Sequence, residues 1–216
     1  MVTATVIAID GPAGAGKSTV GRAVARRLAV GYLDTGAMYR AVTFAVLRRG
    51  IDPHDTERVA DVAATIELEV ADVDGATAVV VDGEDASIEI RGREVTRAVS
   101  AVAANSGVRA EMLARQRAWV AEHRGAVVEG RDIGSVVFPD ADLKLFVTAS
   151  ARVRAERRVA EIGGDVDDVE ASIVERDRKD SSRVESPLVE ASGSTVVDTT
   201  GMSIQEVVDH IMEMLP

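Results

Sequence analysis

Gly11-Pro-Ala-Gly-Ala-Gly16-Lys17-Ser18 decides the fold of this chain of 216 residues. The stretch matches the pattern G-x-x-x-x-G-K-[ST], in which small residues let backbone N–H groups curl around a phosphate. Residues 3–9 before it are β-branched and apolar, which is typical of a buried parallel strand. The following residues, from about Ser18 to Ala29, have one apolar face and predict an α-helix. A strand, a glycine-rich turn and a helix in this order predict a nucleoside triphosphate site.

The chemistry of such a site assigns a task to each part of this loop. Backbone N–H groups would surround the β-phosphate at the positive end of the helix. The Lys17 ammonium would reach the β- and γ-phosphate oxygens, and the Ser18 hydroxyl would ligate Mg²⁺. The residues predicted to bind ATP in this loop are Gly11, Pro12, Ala13, Gly14, Ala15, Gly16, Lys17, Ser18 and Thr19.

The rest of the chain alternates between buried strands and amphipathic helices. Helical patterns cover about residues 37–48, 55–66, 94–104, 107–123, 151–162, 168–183 and 203–214. Buried strands are predicted at 126–129, 143–147 and 195–198. This alternation predicts a parallel sheet with right-handed crossovers. Between the helical patterns at 55–66 and 94–104, the period of the apolar residues changes to two, which is typical of strands. Asp74-Gly75 predicts a hairpin turn between strands at 67–70 and 78–81, and a third strand is predicted at 86–90.

The composition narrows the classes of protein to which the chain belongs. Its length fits one domain with an elaboration. The absence of cysteine excludes disulfides and thiolate chemistry and fits a reducing cytoplasm, where we expect the protein to work. A formal net charge of −11 argues against nucleic acids and anionic membranes as partners. We find no signal-peptide pattern and no apolar run long enough to span a membrane.

Arginine greatly outnumbers lysine in this acidic chain. Of 25 basic residues, 22 are Arg, and the lysines are Lys17, Lys144 and Lys179. Arginine is the residue suited to fork-shaped recognition of phosphates and carboxylates. A preference for arginine codons would explain the overall ratio equally well, so the ratio alone leaves anionic ligands as one of two explanations.

Three residues bear on the class of nucleotide-binding protein. The guanine-reading pattern Asn-Lys-x-Asp is missing, since the one asparagine, Asn105, has no lysine beside it. Ala78-Val-Val-Val-Asp82 looks like a metal-binding strand end, but it falls in the predicted hairpin. Glu129, at the end of a buried strand, is the better candidate for a carboxylate near the metal. A solvated acid at a strand end is the alternative explanation of Glu129.

Four further segments combine arginines with carboxylates or helix starts: 33–40, 130–134, 154–158 and 175–183. Thr35 is expected to cap a helix, and residues 130–134 follow a buried strand, where open α/β sheets bind ligands. Arg176, Asp180 and Arg183 have the spacing of one helical face. Taken singly, each segment also fits ordinary solvated ion pairs. Together they fit a site that gathers several phosphate groups.

These motifs together resemble those of the bacterial cytidylate kinases. The resemblance rests on Ile9-Asp-Gly-Pro-Ala-Gly-Ala-Gly-Lys17, Asp34-Thr-Gly-Ala-Met-Tyr-Arg40, Glu129-Gly-Arg-Asp-Ile-Gly134, Phe138-Pro-Asp-Ala141 and Glu175-Arg-Asp-x-x-Asp-x-x-Arg183-x-x-x-Pro-Leu188. It spans nearly the whole chain. It implies transfer of the γ-phosphate of ATP to CMP or dCMP, with Mg²⁺, in pyrimidine nucleotide metabolism.

The resemblance also implies an architecture. We expect an α/β P-loop kinase fold of three layers, with a central, mostly parallel five-stranded sheet, a small antiparallel β insert and a helical lid. The chain would form a single kinase domain, 1–216, and act as a monomer. Its parts would be a core at 1–65, 91–150 and 184–216, a monophosphate-binding insert at about 66–90, a lid at about 151–168 and a contact helix at 169–183.

Roles for individual residues follow from the same resemblance. The acceptor's phosphate would be bound by Thr35, Arg40 and Arg131, and cytosine would be read by Ser100, Arg109 and Asp132. The sugar would contact Arg176 and Asp180, and phosphates would contact Arg183. The lid would carry Arg154, Arg157 and Arg158, of which Arg154 and Arg157 bind ATP. The catalytic set would be Lys17, Arg131, Arg158 and Arg183, and the metal would be held by Ser18 and Glu129.

Two other functions stay open from the residues alone. The acceptor could be UMP or a small-molecule alcohol instead, although uracil would place an oxygen against Asp132, a mismatch of about 1–3 kcal/mol. The chain could also be an ATP-dependent switch whose arginines grip a partner protein. Phosphate transfer without any partner protein would separate the enzyme from the switch.

Overall fold

The phosphate loop joins strand β1 (Thr5–Asp10) to helix α1 (Lys17–Leu28) in a computed structural model of the chain. The structure describes residues 5–183 and 186–215. The first two residues of the predicted strand, Thr3 and Ala4, lie outside this range. The chain divides into two units: Met1–Gly31 with Arg124–Pro216, and Tyr32–His123.

The first unit is built on parallel strands. After β1 come β6 (Gly125–Gly130), β7 (Leu143–Thr148) and β8 (Thr195–Asp198). Strand β1 pairs with β6 on one side and β7 on the other, and β7 pairs with β8, all parallel. With β2 (Gly31–Asp34), the complete sheet has five strands in the order β2-β6-β1-β7-β8. The predicted parallel sheet is therefore confirmed.

The helices of the first unit lie between and after these strands. They are α1, α6 (Ala151–Ile162), α7 (Val166–Ser181) and α8 (Ile204–Glu213). A short π-helical turn, Ile133–Val137, follows β6. The centre of the core is the middle of β1, where Ile7, Ala8 and Ile9 are fully buried. Because the strands are parallel, their carboxyl ends meet at one edge, and Asp10 pairs in register with Gly130 and Phe146 there.

The second unit combines helices with a small antiparallel sheet. Its helices are α2 (Thr35–Arg48), α3 (Thr56–Thr65), α4 (Arg93–Val102) and α5 (Ser106–Ala121). Its sheet has the order β3-β4-β5, with β3 (Leu68–Val73), β4 (Ala76–Val81) and β5 (Glu84–Asp85). The predicted turn Asp74-Gly75 joins β3 to β4, and both residues have positive φ, at 52° and 84°. The predicted insert is therefore confirmed.

The third strand of this insert was predicted at the wrong place. Residues 86–90 are not a strand, and a 3₁₀ turn at Glu89–Arg91 begins there instead. The N–H of Ile90 donates to the carbonyl of Ala86, so the backbone curls. Ala86 and Ile90 are fully buried while Ile88 between them is 82% exposed, whereas in a strand these three side chains would share one face. The third strand is the two-residue β5.

The stretch Ala78–Asp82, which looks like a metal-binding strand end in the sequence, is part of the hairpin, as expected. Asp82 accepts the backbone N–H of Glu67 at 3.0 Å and the Arg49 guanidinium at 2.7 Å, so its carboxylate stabilises the hairpin and α2. Arg48 forms a second ion pair with Glu84. No helix in the described part of the chain has the length and apolar character needed to cross a bilayer.

Candidate active site

The phosphate loop has the backbone that its glycines predict. Gly11, Gly14 and Gly16 all have positive φ, and Gly16 is the N-cap of α1 without any side-chain cap. A cap side chain would occupy the space where the helix start presents its N–H groups to an anion. Lys17 is buried, and its Nζ donates to the Pro12 carbonyl at 2.9 Å. The lysine is thus folded back over the loop that it serves.

Ser18 and Glu129 come together beside this loop. The Ser18 hydroxyl donates to Glu129 Oε1 at 2.6 Å, and Glu129 is only 5% exposed at the end of β6. A solvated acid is therefore excluded as the explanation of Glu129. Hydroxyl and carboxylate oxygens are the ligands that Mg²⁺ prefers, and Mg²⁺ at nucleotide sites takes only one or two of them from protein. The residues present fit a magnesium ion.

Asp10, the last residue of β1, is a part of this site that sequence reasoning missed. Its two carboxylate oxygens accept the N–H groups of Ile133 and Gly134 at 2.8 and 2.7 Å. Burial raises the pKa of Asp10 to about 6, although the two N–H groups oppose the shift. The negative charge of Asp132 raises this pKa further, and the positive charge of Lys17 lowers it. Asp10 ties the residue before the phosphate loop to the turn after β6.

Asp180 gathers three of the predicted arginines. Its side chain is 1% exposed and accepts Arg131 Nε at 3.0 Å and an Arg183 guanidinium nitrogen at 2.5 Å, with Arg176 Nε at 3.9 Å. Burial would raise the pKa of Asp180, but the three guanidinium charges outweigh it and the pKa is lowered. Burial and the charge of Arg131 lower the pKa of Arg176 to about 10, so it stays charged at neutral pH. Three guanidinium groups therefore converge on the carboxylate of Asp180 in a positive cluster, and the charge of Asp177 also acts on Arg176.

The structure corrects the predicted helical face of this cluster. Helix α7 ends at Ser181, so Arg183 lies beyond the helix and not on its face. It still reaches Asp180, whose backbone carbonyl in turn accepts the N–H of Leu188 at 2.9 Å.

The three lid arginines have different surroundings. Arg154 is buried and donates to the carbonyls of Ala149 and Ala13 at 2.9 and 3.1 Å and to Asp177 at 2.6 Å. Arg157 donates to the hydroxyl and carbonyl of Thr199 at 3.0 and 2.8 Å. Arg158 pairs with Glu161 within its own helix. The first two therefore contact the phosphate loop or the end of β8, while the ion pair of the third lies within α6.

The second unit carries the other predicted residues. Arg40 in α2 donates to the Ile90 carbonyl at 2.9 Å and to the Thr96 hydroxyl at 3.0 Å. Arg109 in α5 is buried, donates to the Ala103 carbonyl at 3.3 Å and lies 5.7 Å from the centroid of the Tyr39 ring. Ser100 lies in α4 and is half-buried.

The cap of α2 differs from the prediction. Asp34 is the N-cap, and its Oδ1 accepts the N–H of Ala37 at 2.9 Å. Thr35 is instead the first helical residue and is 2% exposed. The expectation that Thr35 caps the helix was wrong because Asp34, one residue earlier, is an equally good capping residue in the extended conformation that a cap needs.

The model of the family described as cytidylate kinase matches residues 7–216. The chain belongs to the cytidylate kinase family. A cytidylate kinase of Corynebacterium glutamicum is 48% identical over 215 residues, covering 97% of this chain and 94% of that protein. A cytidylate kinase of Mycolicibacterium paratuberculosis is 46% identical over 220 residues, covering 100% and 96%. The resemblance drawn from the motifs is thus confirmed.

A bifunctional relative has the same family domain within a longer chain. The bifunctional pantoate ligase/cytidylate kinase of Parasynechococcus marenigrum is 49% identical and matches 99% of this chain but 44% of its own length.

Among solved structures, an uncharacterised protein of Eubacterium ventriosum superposes with a TM-score of 0.54 at 11% identity, covering 97% of this chain and 96% of that one. A gluconokinase of Sinorhizobium meliloti gives 0.51 at 16%, covering 99% and 91%. At this identity the likeness extends to the fold alone.

Proposed function

We propose that this member of the cytidylate kinase family transfers the γ-phosphate of ATP to CMP or dCMP, forming ADP and CDP or dCDP. The observation that carries the proposal is the family match over residues 7–216 on a chain whose complete phosphate loop lies beside a buried carboxylate. A phosphate oxygen of CMP attacks the γ-phosphorus, and the bond from that phosphorus to the bridging oxygen of ADP breaks. Because the attacking oxygen is already anionic, the step needs no protein base.

We propose that ATP is bound by the phosphate loop together with Arg154 and Arg157. Lys17 would place its charge on the β- and γ-phosphates, as loops of this pattern do. When bound, Mg²⁺ would neutralise phosphate charge, held by Ser18 and Glu129, whose 2.6 Å contact supports that assignment.

The proposed CMP-binding residues are Thr35, Arg40, Ser100, Arg109, Arg131, Asp132, Arg176, Asp180 and Arg183. The positive cluster around Asp180 supports the residues of this set that would bind the phosphate and the sugar. A guanidinium group can donate two parallel hydrogen bonds to the oxygens of one phosphate. Lys17, Arg131, Arg158 and Arg183 would stabilise the charge that spreads over the transferring group.

Asp132 is proposed to select cytosine. Cytosine offers an amino group as a donor, which a carboxylate accepts, whereas uracil has an oxygen at that position. Asp132 is 4% exposed, so a mismatch there is shielded from water and costs about 1–3 kcal/mol. Arg109 would bind the acceptor atoms of the same base.

Three further expectations concern the lid, the oligomeric state and the cellular compartment of the protein. We propose that residues 151–168 form a lid whose closure excludes water and suppresses ATP hydrolysis. The enzyme would act as a monomer in the cytoplasm, within pyrimidine nucleotide metabolism. Sedimentation equilibrium would test the monomer.

An acceptor-specificity assay tests the proposed reaction. Purified chain with Mg-ATP is supplied in turn with CMP, dCMP, UMP and AMP, and ADP formation is coupled to a spectroscopic readout. We expect turnover with CMP or dCMP and at least about tenfold lower kcat/KM with UMP, the fold-change equivalent to 1.4 kcal/mol. Equal rates for UMP and CMP would contradict cytosine selection. Without turnover of any monophosphate, the switch function gains support.

Lys17→Ala should abolish transfer to every acceptor, because it removes the charge that binds the ATP phosphates. Lys179→Ala is the matched control, since its ammonium is exposed and pairs with Glu175 at 3.5 Å. The two variants lose the same charge. Equal activity of both would sink the assignment of the phosphate loop.

A further inference from the structure

Asp10 holds the backbone around Asp132 in place. Its two oxygens accept the N–H groups of Ile133 and Gly134, the two residues directly after Asp132. On the other side of the same turn, the Asp132 carbonyl accepts the N–H groups of Val136 and Val137 at 2.8 and 3.2 Å. The peptides that follow Asp132 are therefore fixed by a buried carboxylate 123 residues away in sequence.

Asp10 has the chemistry of a support and not of a substrate contact. It is 3% exposed, and both of its oxygens are engaged by backbone N–H groups. It also ends the strand that leads into Gly11, where the backbone comes so close to Val147 that a Cβ would lie 1.9 Å from its carbonyl oxygen. Asp10 therefore precedes a position where the backbone of the sheet is tightly packed, and its two hydrogen bonds link the turn to that position.

The charges around Asp10 support the same connection. Its pKa is raised to about 6, mainly by burial, and among the charged groups Asp132 contributes most to the rise. The carboxylates of Asp10 and Asp132 are therefore near enough for their negative charges to repel each other. Burying a carboxylate costs free energy unless it is hydrogen-bonded, and both hydrogen bonds of Asp10 go to the turn that follows Asp132.

We propose that Asp10 is a positioning residue that acts through Asp132 to set the preference for cytosine over uracil. The proposal rests on the proposed function of Asp132 and adds a residue to it. A base-reading carboxylate must be placed to within a fraction of an ångström for its hydrogen bond to discriminate. Asp10 supplies this placement from the strand that starts the phosphate loop.

The test compares kcat/KM for CMP and for UMP in four proteins: wild type, Asp10→Asn, Asp132→Ala and the double variant. In Asp10→Asn an NH₂ group replaces one of the two carboxylate oxygens, so one backbone N–H faces a second donor where it had an acceptor. We expect the ratio of CMP to UMP to fall at least about fivefold in Asp10→Asn, the size of coupling found between contacting residues. In the double variant the ratio should equal that of Asp132→Ala.

Asp142→Asn is the matched control. Asp142 accepts the N–H of Val6 at 2.8 Å and so supports the opposite end of the same strand. It should leave the ratio of CMP to UMP unchanged. If Asp10→Asn does not fold, Asp10→Ser, which is smaller and also keeps one oxygen acceptor, takes its place.

The outcomes separate this proposal from the one beneath it. If Asp132→Ala leaves the ratio unchanged, cytosine reading by Asp132 is wrong and the role of Asp10 is overturned with it. If Asp132→Ala lowers the ratio but Asp10→Asn lowers both rates equally, Asp10 is only structural. A fall of the ratio in Asp10→Asn that persists in the Asp132→Ala background would overturn the route through Asp132.

Discussion

At the scale of single residues, close approach of the backbone governs the phosphate loop. Gly11 has φ of 145°, and a Cβ there would lie 1.9 Å from the carbonyl oxygen of Val147. The neighbouring atom is backbone, so it cannot move aside as a side chain could. The loop therefore depends on glycine at this position for space as well as for conformation.

Gly11→Ala should destabilise the protein by about 3 kcal/mol or more, since it combines overpacking with a disfavoured φ. Urea unfolding measures the loss, and transfer to CMP should fall with it. Gly201→Ala is the control, because nothing lies within 4 Å of its Cβ position and its φ is not positive. A loss below about 1 kcal/mol for Gly11→Ala would show that the strands adjust at this point.

Asp10 should also make stability depend on pH. Its pKa of about 6 in the folded protein lies above the ordinary value of 3.8, so folding favours the protonated form. This contribution is complete below about pH 4 and is lost as the pH rises through 6. The difference in unfolding free energy between wild type and Asp10→Asn should therefore fall by up to about 3 kcal/mol from pH 4 to pH 7. Urea titrations at several pH values measure it, and a difference that rises with pH would contradict the buried acid.

At the scale of elements, helix α5 buries a side-chain amide for which the described part of the chain supplies no hydrogen-bond partner. Gln116 is 1% exposed, and neither atom of its amide has a hydrogen-bond partner among the described residues. It shares the buried face of α5 with Arg109 and Met112. A buried donor and acceptor left unsatisfied cost free energy that an apolar side chain of similar size would not.

Gln116→Met should raise the free energy of unfolding by about 1 kcal/mol, because it removes the unsatisfied amide and nearly conserves volume. The chain's other glutamine supplies the control: Gln205 is exposed on α8 and donates to Asp209 at 3.0 Å. Gln205→Met should change stability by less than about 0.5 kcal/mol. Thermal or urea unfolding compares the two, and a destabilised Gln116→Met would mean that water satisfies the amide in solution.

Elements with a repeating pattern or a full motif were predictable from the sequence. Helix α6 was placed at its observed bounds, and the hairpin turn at Asp74-Gly75 was found from turn chemistry. No strand was predicted at the position of β2, because four residues are too few to show a period. The two residues of β5 gave no signal at all.

The candidate site divides in the same way. Lys17 and Ser18 stand in a local motif, so spacing alone identified them. Asp10 stands in the quoted motif too, but its partners, Ile133 and Gly134, are backbone N–H groups 123 and 124 residues away. A hydrogen bond to backbone leaves no trace in side-chain identity. The positioning role proposed for Asp10 therefore depends on tertiary hydrogen bonds that the sequence does not reveal.

At the scale of the whole molecule, local and overall charge oppose each other. The chain has 36 acidic against 25 basic residues, yet Arg131, Arg176 and Arg183 surround a single buried acid, Asp180. Salt screens exposed charges beyond about 10 Å at 0.1 M. At physiological ionic strength, exposed charges farther away than this have little influence, and we expect the guanidinium groups of the cluster to decide how an anion binds.

Salt should therefore weaken the binding of CMP, despite the net charge of −11. We expect Kd for CMP to rise at least about twofold between 0.02 and 0.5 M KCl, because screening reduces attraction between phosphate and guanidinium groups. Calorimetric titration measures Kd, and cytidine, which lacks the phosphate, is the control whose Kd should stay constant. If repulsion from the acidic surface dominated, Kd for CMP would fall with salt. A falling Kd would contradict binding of the phosphate by the cluster around Asp180.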